Sequence, residues 1–361
     1  MAQSAVGWLF RCQSCLRQSI TSIRQTRSYS KNAIPTFSPT SSPELDQALN
    51  RFREELFIPF GLGEKQRKLM FRQKYSEKLN EEPISVTIGE NEQFQLRPMD
   101  PQSRPKNQEI TKVVSLMKTT KDWQNIIPFL AGLRLARRVL KPDRWEWLIR
   151  KAAAADALGI MLECAKQSER TGLRLNNVDV VQKFYFMLHQ KAQAADFQGA
   201  HLNKALSLAK QAAMLMEAPE HVVHDVQQDP KRRPFVIGVL LELSAARALN
   251  EFGGQDEGGH VRAYAQRLLA TWPLGSFDAQ TKEWVRIDRM LQENVPIYNG
   301  MKLALQVNGI ASDKALNNGL KACVNELERL IREQTKNAPA EVKEQPTLGY
   351  KQIQLLAPDL N

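Results

Sequence analysis

Four cations crowd one short stretch of the chain: Arg134, Arg137, Arg138 and Lys141 stand at i, i+3, i+4 and i+7. On a continuous helix that spacing puts all four on one face. Ile126, Ile127, Leu130, Leu133 and Leu140 take the approximate opposite side. A little further on, Arg144, Trp147 and Lys151 line up at helical spacing, while Trp145, Leu148 and Ile149 are placed to face a core. Guanidinium and ammonium groups neutralise phosphates and release counterions. An indole among them offers a face on which an unpaired base can stack. The chemistry predicted here is contact with an RNA backbone; the competing reading is a solvated face with Trp147 half-buried against a neighbouring helix. A second basic run, Lys65, Arg67, Lys68, Arg72, Lys74 and Lys78, is interleaved with Leu69, Met70, Phe71 and Tyr75. Lys65, Lys68 and Arg72 are its candidate RNA contacts, against the alternative of an ordinary amphipathic helix.

Other residue types argue against catalysis and metal binding. His221-x-x-His224-Asp225 supplies two imidazoles with no third or fourth ligand nearby, short of what a zinc site needs. Surface histidines are the expected reading. Cys12-x-x-Cys15 has no second pair, and Cys164 and Cys323 stand alone, so neither a metal site nor a disulfide framework is predicted. Gly253-Gly254 and Gly258-Gly259 flank acids that would repel phosphate, so they read as a loop. Lys231-Arg232-Arg233 reads as a short solvent-exposed loop. No Gly-x-Ser-x-Gly, His-Glu-x-x-His or dinucleotide fingerprint occurs. The chain is read as a non-enzyme with no cofactor.

The elements that must position these residues are mainly helical. Ser42-Pro43-Glu44 opens a helix carrying Leu45, Leu49, Phe52 and Leu56 and ending near Pro59. A basic helix follows Gly63. Ile84, Val86 and Ile88, then Phe94 and Leu96, alternate with polar residues around Gly89-Glu90-Asn91-Glu92, which predicts a β-hairpin. Pro98, Pro101 and Pro105 mark a linker over 98–107, separating a 44–97 module from a helical-repeat domain over 108–306. Within that domain, apolar spacing predicts helices at 108–118, 121–140, 142–155, 157–171, 177–194, 200–217, 234–252, 259–271, 278–293 and 296–306. An amphipathic helix, capped by Ser312, is predicted over 312–335. Residues 336–361 are read as a disordered tail. The fold class is mainly α: antiparallel helical hairpins forming a solenoid or repeat-like bundle, with a small N-terminal helix and β-hairpin module.

The first 43 residues hold no aspartate or glutamate, and Arg11, Arg17, Arg24 and Arg27 lie among Ser, Thr and Gln. Trp8, Leu9, Leu16, Ile20 and Ile23 recur at roughly helical spacing. This is the composition of a mitochondrial presequence, predicted over 1–29, with a flexible linker at 30–43. Arg27-Ser28-Tyr29-Ser30 resembles a matrix-protease site, which implies a mature start at Ser30. The four leader arginines account for four units of the formal charge of +11, leaving +7. A basic mature chain fits anionic partners. No stretch is long and apolar enough for a membrane span, although a peripheral inner-membrane contact is compatible with the charge.

Within 145–176, Trp145-x-x-Leu148-Ile149, Ala157-Leu158-x-x-Met161-Leu162 and Thr171-Gly172-Leu173-Arg174-Leu175-Asn176 resemble one pentatricopeptide repeat. The segment 179–217 is similar to a weaker copy. The chain thus resembles mitochondrial pentatricopeptide/tetratricopeptide-like helical-repeat proteins, among them fungal-type mitochondrial ribosomal and gene-expression factors. The resemblance implies helical hairpins and a binding role. The expected function is a structural or RNA-associated one in mitochondrial gene expression, in the matrix, with mitochondrial RNA or the mitoribosome and protein partners. The alternative is a protein-binding assembly factor for a respiratory complex.

Overall fold

Ser42 starts the first helix as its type predicts. Its hydroxyl accepts from the Leu45 N–H and Pro43 occupies the first turn of α1 (Pro43–Phe52). The computed structural model describes residues 34–89, 92–277, 281–336 and 338–360. The expected presequence, with Arg27, Tyr29 and Ser30, therefore lies outside the described residues. The described chain divides into two units, one ending at Arg174 and the other beginning at Leu175.

In the first unit, α1 runs on through a π turn, Arg53–Phe57, into a last turn at Ile58–Gly61. Phe52, Phe57 and Phe129 meet edge-on or tilted, with centroids 5.0–5.9 Å apart. Then come α2 (Glu64–Phe71), α3 (Ser76–Glu81) and the antiparallel hairpin β1 (Ser85–Ile88) and β2 (Glu92–Gln95). The register pairs Val86 with Phe94, and both rest on the buried cluster of Met70, Leu79 and Leu96. The alternation of apolar residues therefore reported the hairpin correctly. The helices α4 (Asn107–Leu116), α5 (Thr120–Trp123), α6 (Ile126–Leu135), α7 (Pro142–Ala154), α8 (Leu158–Lys166) and α9 (Ser168–Thr171) complete the unit.

Two expectations change here. The stretch 34–42, expected to be a flexible linker, is stitched down. Ser38 exchanges two hydrogen bonds with the Asn125 side chain, at 2.8 and 2.9 Å. The buried Asp122 carboxylate accepts from the Ser41 N–H and hydroxyl and from the Thr119 N–H. Burial alone would raise the Asp122 pKa, but these donors outweigh it and hold the group at about 2. The helix expected over 121–140 is two helices, and the second stops at Leu135.

The second unit comprises α10 (Val178–Gln193), α11 (Gly199–Leu215), α12 (Pro234–Glu251), α13 (His260–Thr271), α14 (Trp284–Ala304), α15 (Asn308–Ala311), α16 (Lys314–Lys336), α17 (Ala340–Glu344) and α18 (Leu348–Leu356). The almost wholly apolar α12 is the central helix, buried along most of its length. It packs most extensively on α14. The backbones approach closely because Gly238 and Gly300 face each other's helices. A Cβ on Gly300 would sit 2.8 Å from the Gly238 carbonyl oxygen.

α14 replaces the two helices expected at 278–293 and 296–306, with Pro296 retained in its interior. A proline inside a helix forfeits one backbone hydrogen bond; Val295, Pro296 and Ile297 are all buried here, Ile297 beside Gly238 of α12. Of the apolar stripe expected on this helix, α16 buries Leu316, Leu320, Cys323, Leu327 and Ile331, and leaves Val324 half-buried. Its start differs: the Asp313 carboxylate accepts from the Leu316 N–H, while the Ser312 hydroxyl bonds back to the Asn308 carbonyl. The tail expected to be disordered forms α17 and α18, with Tyr350 and Ile353 buried. Asp288 of α14 caps α18, its Oδ1 accepting from the Gly349 and Tyr350 N–H groups and from the Thr347 hydroxyl. A Cβ on Gly349 would fall 2.3 Å from the Asp288 carbonyl oxygen, so glycine is required there.

Candidate nucleic-acid interface

The basic stretch after Leu133 is a helix end and the loop beyond it. Arg137 adopts the left-handed conformation, φ 58°. The Arg137 N–H donates to the Arg134 carbonyl and the Arg138 N–H to the Leu133 carbonyl, 2.8 Å away. This is a Schellman ending, with arginine at the position usually held by glycine. The one-face argument for Arg134, Arg137, Arg138 and Lys141 is thereby overturned. Arg134 is on α6, Arg137 and Arg138 are in the turn, and Lys141 is the residue before α7.

The turn gathers most of these cations by another route. An open groove of about 740 Å³ is lined by Lys106, Asn107, Ile110 and Thr111 at the start of α4, by Arg137–Lys141, and by Asp143, Arg144, Trp147 and Leu148 of α7. Five cations line it against one acid, Asp143. Trp147 is half-buried, Arg137, Lys141 and Arg144 are exposed, and the Val139 side chain stands in solvent. Arg144 donates to the Thr111 hydroxyl at 3.3 Å, which ties α7 to α4 across the groove.

Not every predicted contact joins it. Arg134 is exposed on α6 and does not line the groove; its Nη1 lies 3.5 Å from where a Cβ on Gly172 would be. Lys151 is exposed one turn of α7 beyond Trp147, also outside it. Lys65, Lys68 and Arg72 are exposed along α2 and its end. Lys68 pairs with Glu64 at 2.6 Å and pulls the Glu64 carboxyl below its ordinary range.

Two contributors were missed by sequence reasoning, because residues 98–107 read only as a proline-rich linker. Lys106 lines the groove. Arg104 is half-buried and stacks its guanidinium over Phe71, 4.1 Å from the centroid, and over Phe60 at 5.4 Å. Burial and the charge of Arg67 lower the Arg104 pKa. Burial and the charge of Arg104 lower that of Arg138, with Glu109 opposing. Glu109 is already engaged, accepting from the Arg51 guanidinium and the Lys106 N–H. Among the described residues, the buried Arg104 Nε and Arg138 Nη1 have no hydrogen-bond partner.

The second unit holds polar groups of another kind. His189 is fully buried; its Nδ1 lies 2.6 Å from the Glu242 carboxylate and its Nε2 2.8 Å from the Gln352 Oε1. Asn299 donates to the other Glu242 oxygen at 2.6 Å. Acceptors at both nitrogens favour the protonated ring. Burial opposes that charge, but Glu242 and the two hydrogen bonds prevail and raise its pKa. Nothing in the local sequence marked His189.

His221, expected at the surface, is buried and accepts the Leu175 N–H at Nδ1, while His224 is exposed. The pair does not lie on a helix, so no shared helical face exists. Lys231, Arg232 and Arg233, expected to be plainly exposed, are half-buried. Lys231 pairs with Glu217 and Arg232 with Asp229, while Arg233 donates to the Leu274 and Gln227 carbonyls. Arg233, Arg289 and Glu293 line a cavity of about 270 Å³, where burial pushes the Glu293 carboxyl up to about 7 despite both arginines. Among the described residues no helix is long and apolar enough to cross a membrane, and no cluster of three metal-ligating side chains occurs.

Comparison with known proteins supplies the remaining finding. The profile of the family described as mitochondrial ribosomal protein mS27 matches residues 21–355. The small ribosomal subunit protein mS27 of Neurospora crassa is 27% identical over 261 residues, covering 66% of this chain and 65% of that protein.

Proposed function

Since the chain belongs to the mitochondrial ribosomal protein mS27 family, we propose that it is a non-catalytic component of the small subunit of the mitochondrial ribosome, working in the matrix. The observation that carries this reading is the family match across residues 21–355. Its mechanism is binding: rigid helical units present surfaces, and the groove between α4 and α7 contacts phosphates of ribosomal RNA. Five groove cations against one acid support that contact. Lys65, Lys68, Arg72, Arg134 and Lys151, exposed outside the groove, extend the cationic surface. Packing of α7 on α8, and of α10 on α11, supports the pentatricopeptide-like reading of the hairpins. Residues 1–29 are proposed to be removed after import.

The test is co-sedimentation with mitochondrial ribosomes in a density gradient. Arg137→Glu, Lys141→Glu and Arg144→Glu combined are expected to release the protein from the small-subunit fraction at physiological salt, with an unchanged helical circular-dichroism spectrum. Undiminished co-sedimentation of the folded triple variant would remove the groove from the interface. A wild-type protein absent from ribosomal fractions would remove the function itself.

A further inference from the structure

Arginines carry five N–H donors and no acceptor, and a buried donor left without a partner costs free energy. In native proteins such a group marks an unseen partner or a functional role. Here two orphaned donors occur in one neighbourhood. Arg138 lines the groove, and its buried Nη1 is unpaired. Arg104, two residues before the groove-lining Lys106, leaves its buried Nε unpaired.

Both arginines are half-buried. The Arg104 guanidinium carbon lies 4.1 Å from the Phe71 ring centroid, and the Arg138 backbone is fixed by the hydrogen bond that closes the Schellman turn. The two feel each other's charge, and Arg67 adds a third positive field at Arg104. The nearby acid that opposes this at Arg138 is Glu109, whose oxygens are taken by Arg51 and by the Lys106 N–H. Like charges with unmade donors, beside an acid that is already engaged, are complementary to a tetrahedral oxyanion. Guanidinium forks match phosphate geometry.

We propose that Arg138 and Arg104 form a subsite for one phosphate group beside the groove, and that this phosphate belongs to an RNA backbone. The source of the phosphate rests on the RNA-contact reading above; the subsite itself does not. The site differs from the exposed cations Arg137, Lys141 and Arg144 in that both arginines are half-buried, and a phosphate reaches their unpaired donors only as the side chains shift to uncover them.

The experiment uses the full chain and two probes. A fluorescent single-stranded oligoribonucleotide is titrated across about 50 to about 200 mM salt, and inorganic phosphate is followed separately by phosphorus NMR line width. The variants are Arg138→Gln, Arg138→Lys and Lys343→Gln. The last removes the same charge from an exposed position in the second unit. Arg138→Gln is expected to lower the log–log salt slope by about 0.7 and the affinity about fivefold at 0.1 M salt, and to abolish phosphate broadening. Arg138→Lys is expected to keep the slope but lose most of the broadening, because the fork is gone. Lys343→Gln is expected to change neither. RNA affinity and phosphate broadening in a folded Arg138→Gln protein that match Lys343→Gln overturn the subsite and leave RNA contact standing. Phosphate broadening that depends on Arg138, in a protein that binds no RNA, keeps the subsite and overturns RNA as its source. If Arg138→Gln does not fold, Arg138→Lys decides: broadening equal to wild type overturns the subsite.

Discussion

Arg137 shows how a single residue can be kept against its own conformational preference. A left-handed φ costs an L-residue about 1–2 kcal/mol, and glycine would take the same turn without a Cβ clash. Non-glycine residues in such conformations cluster at functional positions, and Arg137 lines the basic groove. Arg137→Gly is therefore expected to stabilise the protein by about 0.5–1 kcal/mol, after the greater entropy of an unfolded glycine is subtracted. The same change is expected to weaken RNA binding several-fold, since one phosphate-facing charge is lost. Thermal denaturation and RNA titration of one variant check both. A stabilised protein with unchanged affinity would make the arginine's placement incidental.

At the level of elements, the buried His189–Glu242 pair fastens α10 to α12, and Gln352 extends the link to α18. A histidine whose folded pKa is raised contributes stability that is fully present below its unfolded value, about 6.5, and is lost as pH rises through the folded pKa. Thermal stability of the second unit is thus expected to fall as pH is raised from about 6.5, and Glu242→Gln is expected to flatten that dependence. Glu242→Ala removes the counter-charge, so the buried ring is expected to lose its proton, and the lost hydrogen bonds are expected to cost about 1–3 kcal/mol. Melting temperatures across the pH series report both effects. Element existence was largely legible in the sequence, because three- and four-residue apolar spacing is set by burial. The hairpin was legible too, because Val86 and Phe94 alternate with polar neighbours. Ends were less so. Apolar spacing runs past Leu135, and the signal that stops α6 is a backbone conformation at Arg137, which no residue type announced. Arg137, Arg138 and Lys141 were named from a face that does not exist, yet the turn brought them together with Arg144 and Trp147 of α7. Arg104 was hidden because its value lies in rings distant in sequence, Phe60 and Phe71. α18 was hidden because its cap, Asp288, is sixty residues away or more.

For the whole molecule, the acid-free leader and the family match bear on the compartment from independent directions. Protein recovered from mitochondria is expected to begin at Ser30, and Arg27→Ala is expected to shift or block that cleavage; mass spectrometry of the N-terminal peptide reads both. An intact Met1 terminus on the organellar protein would overturn the presequence reading. Cleavage before Ser30 would leave a chain of formal charge +7, enough for long-range attraction to a polyanion at low ionic strength.

The bond between His189 and Gln352 spans 163 residues, and that separation has a consequence in time. A chain made from its N-terminus presents α10 and α12 long before α18 exists. Until Gln352 and the helix carrying it arrive, the His189 Nε2 lacks its partner and the Asp288 Oδ1 lacks the α18 amides that donate to it. The second unit thus closes only after synthesis of its last helix, by contacts of high sequence separation that form slowly. During that interval its apolar faces, α12 above all, are the part of the nascent protein most in need of protection.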